Sequence, residues 1–135
     1  MDQLIADIVS PNFISVAPDC TIKEAVKRMF DSRSTSVVIE ESGEPVGIFT
    51  ERDAVGLLLE TFDGVSWQDL PIKHVMTTPV IAICDDCNLG EGLAIARGGK
   101  IRHVPVINQW GRLSGVLNQG DMLRSLYDYC QNHNY

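Results

Sequence analysis

The sequence predicts an α/β fold, of the α+β kind, built from two tandem β-α-β-β-α repeats. A seven-residue phrase ending in Asp occurs twice, as GIFTERD at residues 47–53 and as GVLNQGD at residues 115–121. The same order of apolar runs, helix-cap residues and turn residues surrounds both copies. Because an internal repeat dictates the architecture, the two copies predict one structural unit built twice.

Each repeat opens with a short apolar strand and a capped helix. The strands are predicted around Ile14–Val16 and Ile81–Ile83. Thr21 and Asn88 are predicted helix N-caps, because each is followed three residues later by Glu in the capping-box pattern. Apolar residues then recur at helical spacing, which predicts a helix packed on a core.

Each repeat continues with a β-hairpin and a second helix. The four hairpin strands are predicted at Ser36–Glu40 and Val46–Phe49, and at His103–Ile107 and Leu113–Leu117. The second helices are predicted to start at Thr50 and Asn118. Equivalent residues are 67 apart in the first half of the repeat and 68 apart in the second half. We therefore expect one extra residue in the second repeat, near Gly98 and Gly99.

The repeat pattern divides the chain into four parts. Residues 1–62 are predicted to form the first repeat, 63–73 a connector, 74–130 the second repeat and 131–135 a C-terminal tail. A repeat of about 60 residues buries little core by itself. The two repeats are therefore expected to pack on each other.

Charge, apolar content and cysteine spacing limit the classes of partner and chemistry that this chain is expected to have. The chain has 135 residues and a net charge of −7, which argues against nucleic acid as the main partner. It has no long apolar run of membrane-spanning length and no basic-then-apolar leader, so a cytoplasmic protein without a membrane segment is the expectation. Cys84 and Cys87 form a C-x-x-C pair, a pattern used for redox or metal chemistry. Without a second pair, ordinary structural thiols are the favoured interpretation.

In their order, these elements resemble a pair of cystathionine-β-synthase (CBS) domains, called a Bateman module. The resemblance covers roughly residues 4–130 and rests on residues 21–25 after the first strand, on the strand Val37–Ile39, on Gly47-x-x-Thr50-x-x-Asp53, and on Arg102–Ile107. It implies two repeats packed with pseudo-two-fold symmetry into one module. It also implies a regulatory protein with no catalytic residue, no metal and no required cofactor.

The resemblance further implies a class of ligand and of partner. Modules of this family commonly bind AMP, ADP or ATP, and others bind S-adenosylmethionine, NAD or cyclic dinucleotides. They pass ligand occupancy to a fused or associated effector, which is unknown for this chain. They usually pair into homodimers. The apolar stripe Leu126, Tyr127 and Cys130 suits packing on a second copy.

Thr50 and Asp53 are the main candidate ligand-binding residues. A helix N-terminus presents unpaired N–H groups to an anion such as phosphate. Asp53 offers two acceptor oxygens to the paired hydroxyls of a ribose, and Thr50 offers a hydroxyl. Gly47 allows close approach of a ligand, and Arg52 adds positive charge. Thr-x-x-Asp is also a helix-capping pattern, and the two interpretations are compatible.

The resemblance places the ribose on one repeat and the base on the other, in the cleft between them. For the Asp53 site, it implies contacts from Val80, Ile81, Val104 and Pro105 to the base and from Arg102 and His103 to phosphate. A second, weaker site is expected at Asp121 and Asn118, with Phe13, Ile14, Ser36 and Val37. It is weaker because Asn118 replaces a hydroxyl residue and Gly120 replaces the cation at Arg52.

Two alternatives remain open from the sequence. The first is a dimerisation or interaction module that binds no ligand. The second is a thiol or metal protein that uses Cys84 and Cys87.

Overall fold

The computed structural model describes residues 3–10, 12–60, 66–99 and 102–132. The helices are α1 (Ile5–Ile8), α2 (Ile22–Ser32), α3 (Glu51–Glu60), α4 (Leu89–Gly99) and α5 (Gln119–Asn132). The strands are β1 (Ser15–Val16), β2 (Ser36–Glu41), β3 (Glu44–Thr50), β4 (Ile83–Cys84), β5 (His103–Ile107) and β6 (Leu113–Asn118). The predicted α/β class and the predicted order of elements in each repeat are confirmed.

The chain divides into two compact units. One comprises Phe13–Val80 and is called the first-repeat unit; the other comprises Met1–Asn12 with Ile81–Tyr135 and is called the second-repeat unit. Residues 61–65 of the predicted connector and 133–135 of the predicted tail lie outside the described residues. The predicted repeat boundaries follow sequence repetition rather than contacts, and they stay a prediction.

The first-repeat unit is built on a three-stranded sheet of order β1-β2-β3. β1 pairs parallel with β2, and β2 pairs antiparallel with β3. The predicted N-cap is confirmed, because the Thr21 hydroxyl accepts a hydrogen bond from the Glu24 N–H at 3.1 Å. The core joins one face of α2 to the sheet and includes Ile22, Ala25, Met29, Val37, Ile39 and Phe49.

The second-repeat unit has the same plan, with a sheet of order β4-β5-β6. Asn88 caps α4 as predicted, since its Oδ1 accepts the Glu91 N–H at 2.9 Å. β4 begins two residues later than the predicted start at Ile81, whose side chain is exposed. The core includes Ile83, Leu89, Ala96, Val104, Val106 and Leu117, and Ile5 from the N-terminal segment.

Two segments, residues 70–77 and residues 3–10, complete the cores of the first-repeat and second-repeat units respectively, and we call them the docked segments. In the first-repeat unit, the Ile72 N–H donates to the Cys20 carbonyl at 2.7 Å. In the second-repeat unit, the Ile5 N–H donates to the Cys87 carbonyl at 2.8 Å. Both isoleucine side chains are fully buried. Since these pairs are again 67 residues apart, the duplication extends upstream of the elements recognised from the sequence.

The extra residue of the second repeat lies in its hairpin turn, so the predicted position near Gly98 and Gly99 is wrong. Val37 pairs with Phe49 in the first sheet, and Val104 pairs with Leu117 in the second. The offset is therefore still 67 in the first hairpin strand and becomes 68 only in the second. Residues 41–44 lie between the paired residues Glu40 and Pro45 of the first hairpin, whereas residues 108–112, one more, lie between the equivalent pair Ile107 and Leu113. Val and Ile recur at neighbouring positions within residues 37–39 and 104–107, so these strands match by sequence at an offset of 68 as well as 67.

Candidate functional site

The N-terminus of α3 presents Asp53 in a capping arrangement with Thr50. Asp53 Oδ2 accepts hydrogen bonds from the Thr50 N–H at 2.9 Å and from the Thr50 hydroxyl at 3.1 Å. The Asp53 N–H in turn donates to Thr50 Oγ1 at 3.3 Å. The carboxylate is half-buried. The capping interpretation is therefore confirmed, and it engages Oδ2 rather than Oδ1.

The N-terminus of α5 repeats this arrangement with one contact changed. Asp121 Oδ2 accepts the Asn118 N–H at 3.1 Å, and the Asp121 N–H donates to Asn118 Oδ1 at 2.8 Å. Asn118 has no hydroxyl to match the one that Thr50 directs at Asp53. We call the hydrogen bonds that hold each carboxylate its cage. The cage of Asp53 contains two donors, and the cage of Asp121 contains one.

The glycines at the start of both phrases have a packing role. A Cβ on Gly47 would lie 2.8 Å from Met76 Cγ, and a Cβ on Gly115 would lie 2.8 Å from Val9 Cγ2. Both contacts come from the docked segments, which bridge to the same strands at Thr77 and Ser10. Because glycine has no side chain, Met76 and Val9 can pack directly against the backbone at Gly47 and Gly115. The close approach of a ligand to Gly47 stays a prediction.

Sequence reasoning did not identify the docking of Ile5 and Ile72, although it predicted that Trp67 of the connector packs on the core, as it does. The available signal was the pair Ile5 and Ile72, which share the 67-residue offset but lie upstream of the strands that were compared.

The other predicted residues of the first-repeat unit differ in exposure and in position relative to the start of α3. Ser36 pairs directly with Thr50 across the hairpin, and its side chain is buried. Arg52 is exposed on the first turn of α3, where its guanidinium is free to meet an anion in solvent. The side chains of Val37 and Ile14 belong to the core, so only the backbone groups of these two residues are candidates for contact with a ligand. Phe13 and Val80 are half-buried at the two ends of this unit.

The predicted residues of the second-repeat unit also divide into core residues and residues with accessible side chains. His103 pairs with Asn118 across the hairpin, which puts it in the position that Ser36 occupies in the other unit. Arg102 directly precedes it and is exposed. Val104 and Pro105 are buried, as core residues of β5. Arg102 and His103 are therefore the members of this group with side chains suited to an anionic ligand.

A cavity of about 710 Å³ lies beside the first turns of α3. It is lined by the end of α2 and by one side of α3, including Phe30, Arg33, Glu51 and Val55. Neither Thr50 nor Asp53 lines it. The cavity and the capped carboxylate are thus different features of the first-repeat unit.

The described ranges lack two other kinds of feature. No group of three or more His, Cys, Asp or Glu side chains there is arranged to hold a metal ion. No described helix combines the length and the apolar character needed to cross a membrane.

The duplicated sheet, the capped Asp at the start of each last helix and the docked segments agree with one family. The CBS domain family matches residues 5–60 and again residues 72–128. The chain belongs to the CBS domain family. The family resemblance inferred from the sequence is therefore confirmed.

Two relatives of this CBS pair differ in how much of their length matches it. An uncharacterised 17.7 kDa protein of Acidianus ambivalens is 32% identical over 131 residues, which are 95% of this chain and 76% of that protein. The inosine-5′-monophosphate dehydrogenase of Methanocaldococcus jannaschii is 28% identical over 119 residues, which are 87% of this chain but 22% of the enzyme. The match is thus confined to a small part of the dehydrogenase.

A solved structure resembles the whole chain. The CBS domain pair of protein MJ0100 is 25% identical and superposes with a TM-score of 0.83, covering 96% of this chain and 99% of that one. That protein was crystallised with 5′-methylthioadenosine and S-adenosyl-L-methionine.

Proposed function

We propose that this CBS pair is a regulatory, non-catalytic module that binds an adenosine-containing small molecule, with Asp53 as the ribose-binding residue. The observation that carries the proposal is the cage at the start of α3. Thr50 holds Asp53 through Oδ2 with two donors, at 2.9 and 3.1 Å. A carboxylate fixed in this way pays little ordering entropy when its Oδ1 accepts hydrogen bonds from a ribose.

The electrostatics of the first turn favour the Asp53 site over the Asp121 site. The helix N-terminus carries partial positive charge, and Arg52 adds a full charge on an exposed side chain. At α5 the equivalent of Arg52 is Gly120, and Asn118 uses its Oδ1 for the helix. We therefore propose Asp53, Thr50 and Arg52 as the stronger site and Asp121 with Asn118 as the weaker one.

The chemical class of the ligand is supported by MJ0100, whose two bound molecules both contain adenosine. We propose AMP, ADP or ATP as the first candidates, and S-adenosylmethionine, NAD or a cyclic dinucleotide as alternatives. The residues of the second-repeat unit assigned to the base and the phosphates are the remaining part of this proposal. Arg102 and His103 are its testable members, since their side chains are not buried in the core.

We also propose that the chain acts as a homodimer. α3 exposes three apolar side chains, and α5 exposes apolar side chains at the three equivalent positions. They are Val55, Leu58 and Leu59 in α3, and Leu123, Leu126 and Tyr127 in α5. Apolar surface repeated in this way is typical of an interface between copies. The effector and the cytoplasmic location stay predictions.

A second candidate function is a dimerisation module that binds no ligand. It is favoured by one observation: both aspartates already cap their helices, so neither needs a ligand to explain its presence. The two candidates differ in a single measurable property, the response of the protein to adenosine compounds.

The test uses substitutions that keep the cap. Asp53→Asn retains an oxygen that accepts the Thr50 N–H but replaces the second acceptor by a donor, so it separates capping from ribose binding. Wild type, Asp53→Asn and Asp121→Asn are titrated calorimetrically with AMP, ADP, ATP, S-adenosylmethionine, 5′-methylthioadenosine, NAD and cyclic dinucleotides. We expect Asp53→Asn to weaken binding at least about tenfold, because two hydrogen bonds to a charged group are lost. We expect Asp121→Asn to have a smaller effect.

Thermal unfolding supplies the second measurement. A ligand present at about 100 times its Kd stabilises the folded protein by about 2.7 kcal/mol, which is readily detected as a rise in Tm. Binding by wild type that survives unchanged in Asp53→Asn would reject Asp53 as the ribose residue. Absence of any response across the panel, with a stable dimer by light scattering, would favour the second candidate.

A further inference from the structure

Cys84 and Cys87 stand at the two ends of one tight turn. Cys84 is the last residue of β4, and the Cys87 N–H donates to the Cys84 carbonyl at 3.1 Å. A hydrogen-bonded four-residue turn brings the Cα atoms of its end residues within about 7 Å. Disulfides join residues whose Cα atoms are about 4.4–6.8 Å apart. The backbone of the turn therefore suits an intramolecular disulfide.

The two thiols differ in a way that orders their chemistry. Both are free, Cys84 is exposed, and Cys87 is half-buried against the core of the second-repeat unit. Burial, helped by the neighbouring Glu91, raises the pKa of the Cys87 thiol. An oxidant from solvent therefore meets Cys84 first, and Cys87 is placed to react second.

The first-repeat unit contains the same turn without the pair. The Cys20 N–H donates to the Ala17 carbonyl at 3.0 Å, so Cys20 matches Cys87 and Ala17 matches Cys84. Cys20 also packs partly buried against its core. Core packing explains Cys20 and Cys87, but it does not explain an exposed thiol where the other repeat has a methyl group.

The turn also holds the N-terminal segment of the chain. The Ile5 N–H donates to the Cys87 carbonyl at 2.8 Å, and the Ala6 N–H donates to the Asp85 carbonyl at 2.9 Å. Ile5 is fully buried below this turn. Any rotation of the turn moves both acceptors, and closing a disulfide draws the Cys87 sulfur away from the core toward Cys84.

We propose that Cys84 and Cys87 are a reversible oxidation site, and that their disulfide loosens the docking of residues 3–8. The oxidant is a low-molecular-weight disulfide. The Cys84 thiolate attacks one of its sulfurs, breaks the S–S bond and releases one thiolate. The Cys87 thiolate then attacks Cys84 Sγ and releases the second. The two protein thiols lose two protons and two electrons, and the reagent becomes two thiols.

The first experiment establishes the bond. The protein is equilibrated in glutathione disulfide and glutathione, free thiols are alkylated, and the products are mapped by mass spectrometry. We expect one species that has lost two hydrogens, with the bond in the peptide containing Cys84 and Cys87, and full reversal by dithiothreitol. A stable glutathione adduct on Cys84, a bond between two copies, or four unmodified thiols would each overturn the proposal.

Substitutions taken from the other repeat are the controls. Cys84→Ala reproduces the turn of the first-repeat unit, which shows that alanine is compatible with this backbone, and it should abolish the oxidised species. Ala17→Cys creates the pair at the matching turn and should oxidise with Cys20. If Ala17→Cys forms its bond and the native pair does not, the second-repeat turn is unsuited to a disulfide and the proposal fails.

The second experiment measures the consequence by hydrogen exchange of the reduced and oxidised protein. Loss of one backbone hydrogen bond corresponds to about a fivefold change in an opening equilibrium. We expect amides of residues 3–8 to exchange at least about fivefold faster after oxidation, with no such change in Cys84→Ala. Equal exchange in a fully oxidised sample would overturn the link between the bond and the docked segment.

Discussion

Gly115 offers the sharpest test of the docked N-terminal segment. A Cβ at this position would lie 2.8 Å from Val9 Cγ2 and 3.1 Å from the Ser10 carbonyl oxygen. Carbon atoms pack comfortably at about 3.5–4.0 Å, so Gly115→Ala requires the segment to retreat by roughly 0.5–1 Å. Val9 is β-branched and Ser10 contributes backbone, so neither neighbour moves freely. The substitution therefore strains the contact between the segment and β6.

The expected magnitude follows from two opposing terms. Overpacking of this kind costs about 1–3 kcal/mol. Replacing Gly by Ala returns about 0.4–1 kcal/mol, because the unfolded chain loses conformational freedom. We therefore expect Gly115→Ala to lower the free energy of unfolding by about 1.3 kcal/mol, within limits of about 0 and 2.6 kcal/mol, measured by urea denaturation. Hydrogen exchange at residues 9–10 should accelerate in the same variant.

Gly56→Ala is the matched control. Gly56 lies in the middle of α3, and a Cβ there would meet no atom within 4 Å. Alanine should therefore stabilise the helix by about 0.5–1 kcal/mol. The two substitutions are chemically identical and are expected to act with opposite signs. A Gly115→Ala variant as stable as wild type, with unchanged exchange at residues 9–10, would refute the described docking.

Three other predictions concern caps and charges. Asp53→Ala should lower the free energy of unfolding by about 1 kcal/mol through loss of its cap, whether or not ligand is present, and urea denaturation of the free protein measures it. Lys73 lies 2.8 Å from Asp19, and their hydrogen bond holds the pKa of Asp19 below its ordinary 3.8. That contribution is present above pH 3.8 and fades as pH falls through the lowered pKa, so Asp19→Asn should lower the urea midpoint at about pH 7, and its difference from wild type should shrink as the pH is lowered below 3.8. Burial raises the pKa of Cys87 above its ordinary 9.0, so stability should fall as pH rises through that raised value, and Cys87→Ala should flatten this fall in an alkaline urea series.

The local elements were predictable because local chemistry decides them. Thr21 and Asn88 accept the N–H groups that the capping pattern assigns to them. The hairpin strands lie where alternating apolar runs and turn residues placed them. The candidate aspartates were likewise found from one repeated phrase, and their capping role was one of the two interpretations considered.

The errors and omissions came from relations between distant residues. The position of the extra residue depends on which residues face each other across the hairpins, and a run of Val and Ile is compatible with two offsets. The packing role of Gly47 depends on Met76, which lies 29 residues away in the chain. No local pattern reports such a contact.

Repetition in the amino-acid sequence was thus sufficient for the α/β class, the element order, the family and the pair of capped aspartates, because each depends on residues near one another in the chain. The three-dimensional structure was needed to show that Ile72 completes the core of the first-repeat unit and Ile5 that of the second-repeat unit. It was also needed to show that Gly47 leaves room for Met76 and Gly115 for Val9. Burial of an apolar side chain is rewarded wherever the chain can reach a core, and nothing in the local sequence specifies which core that is.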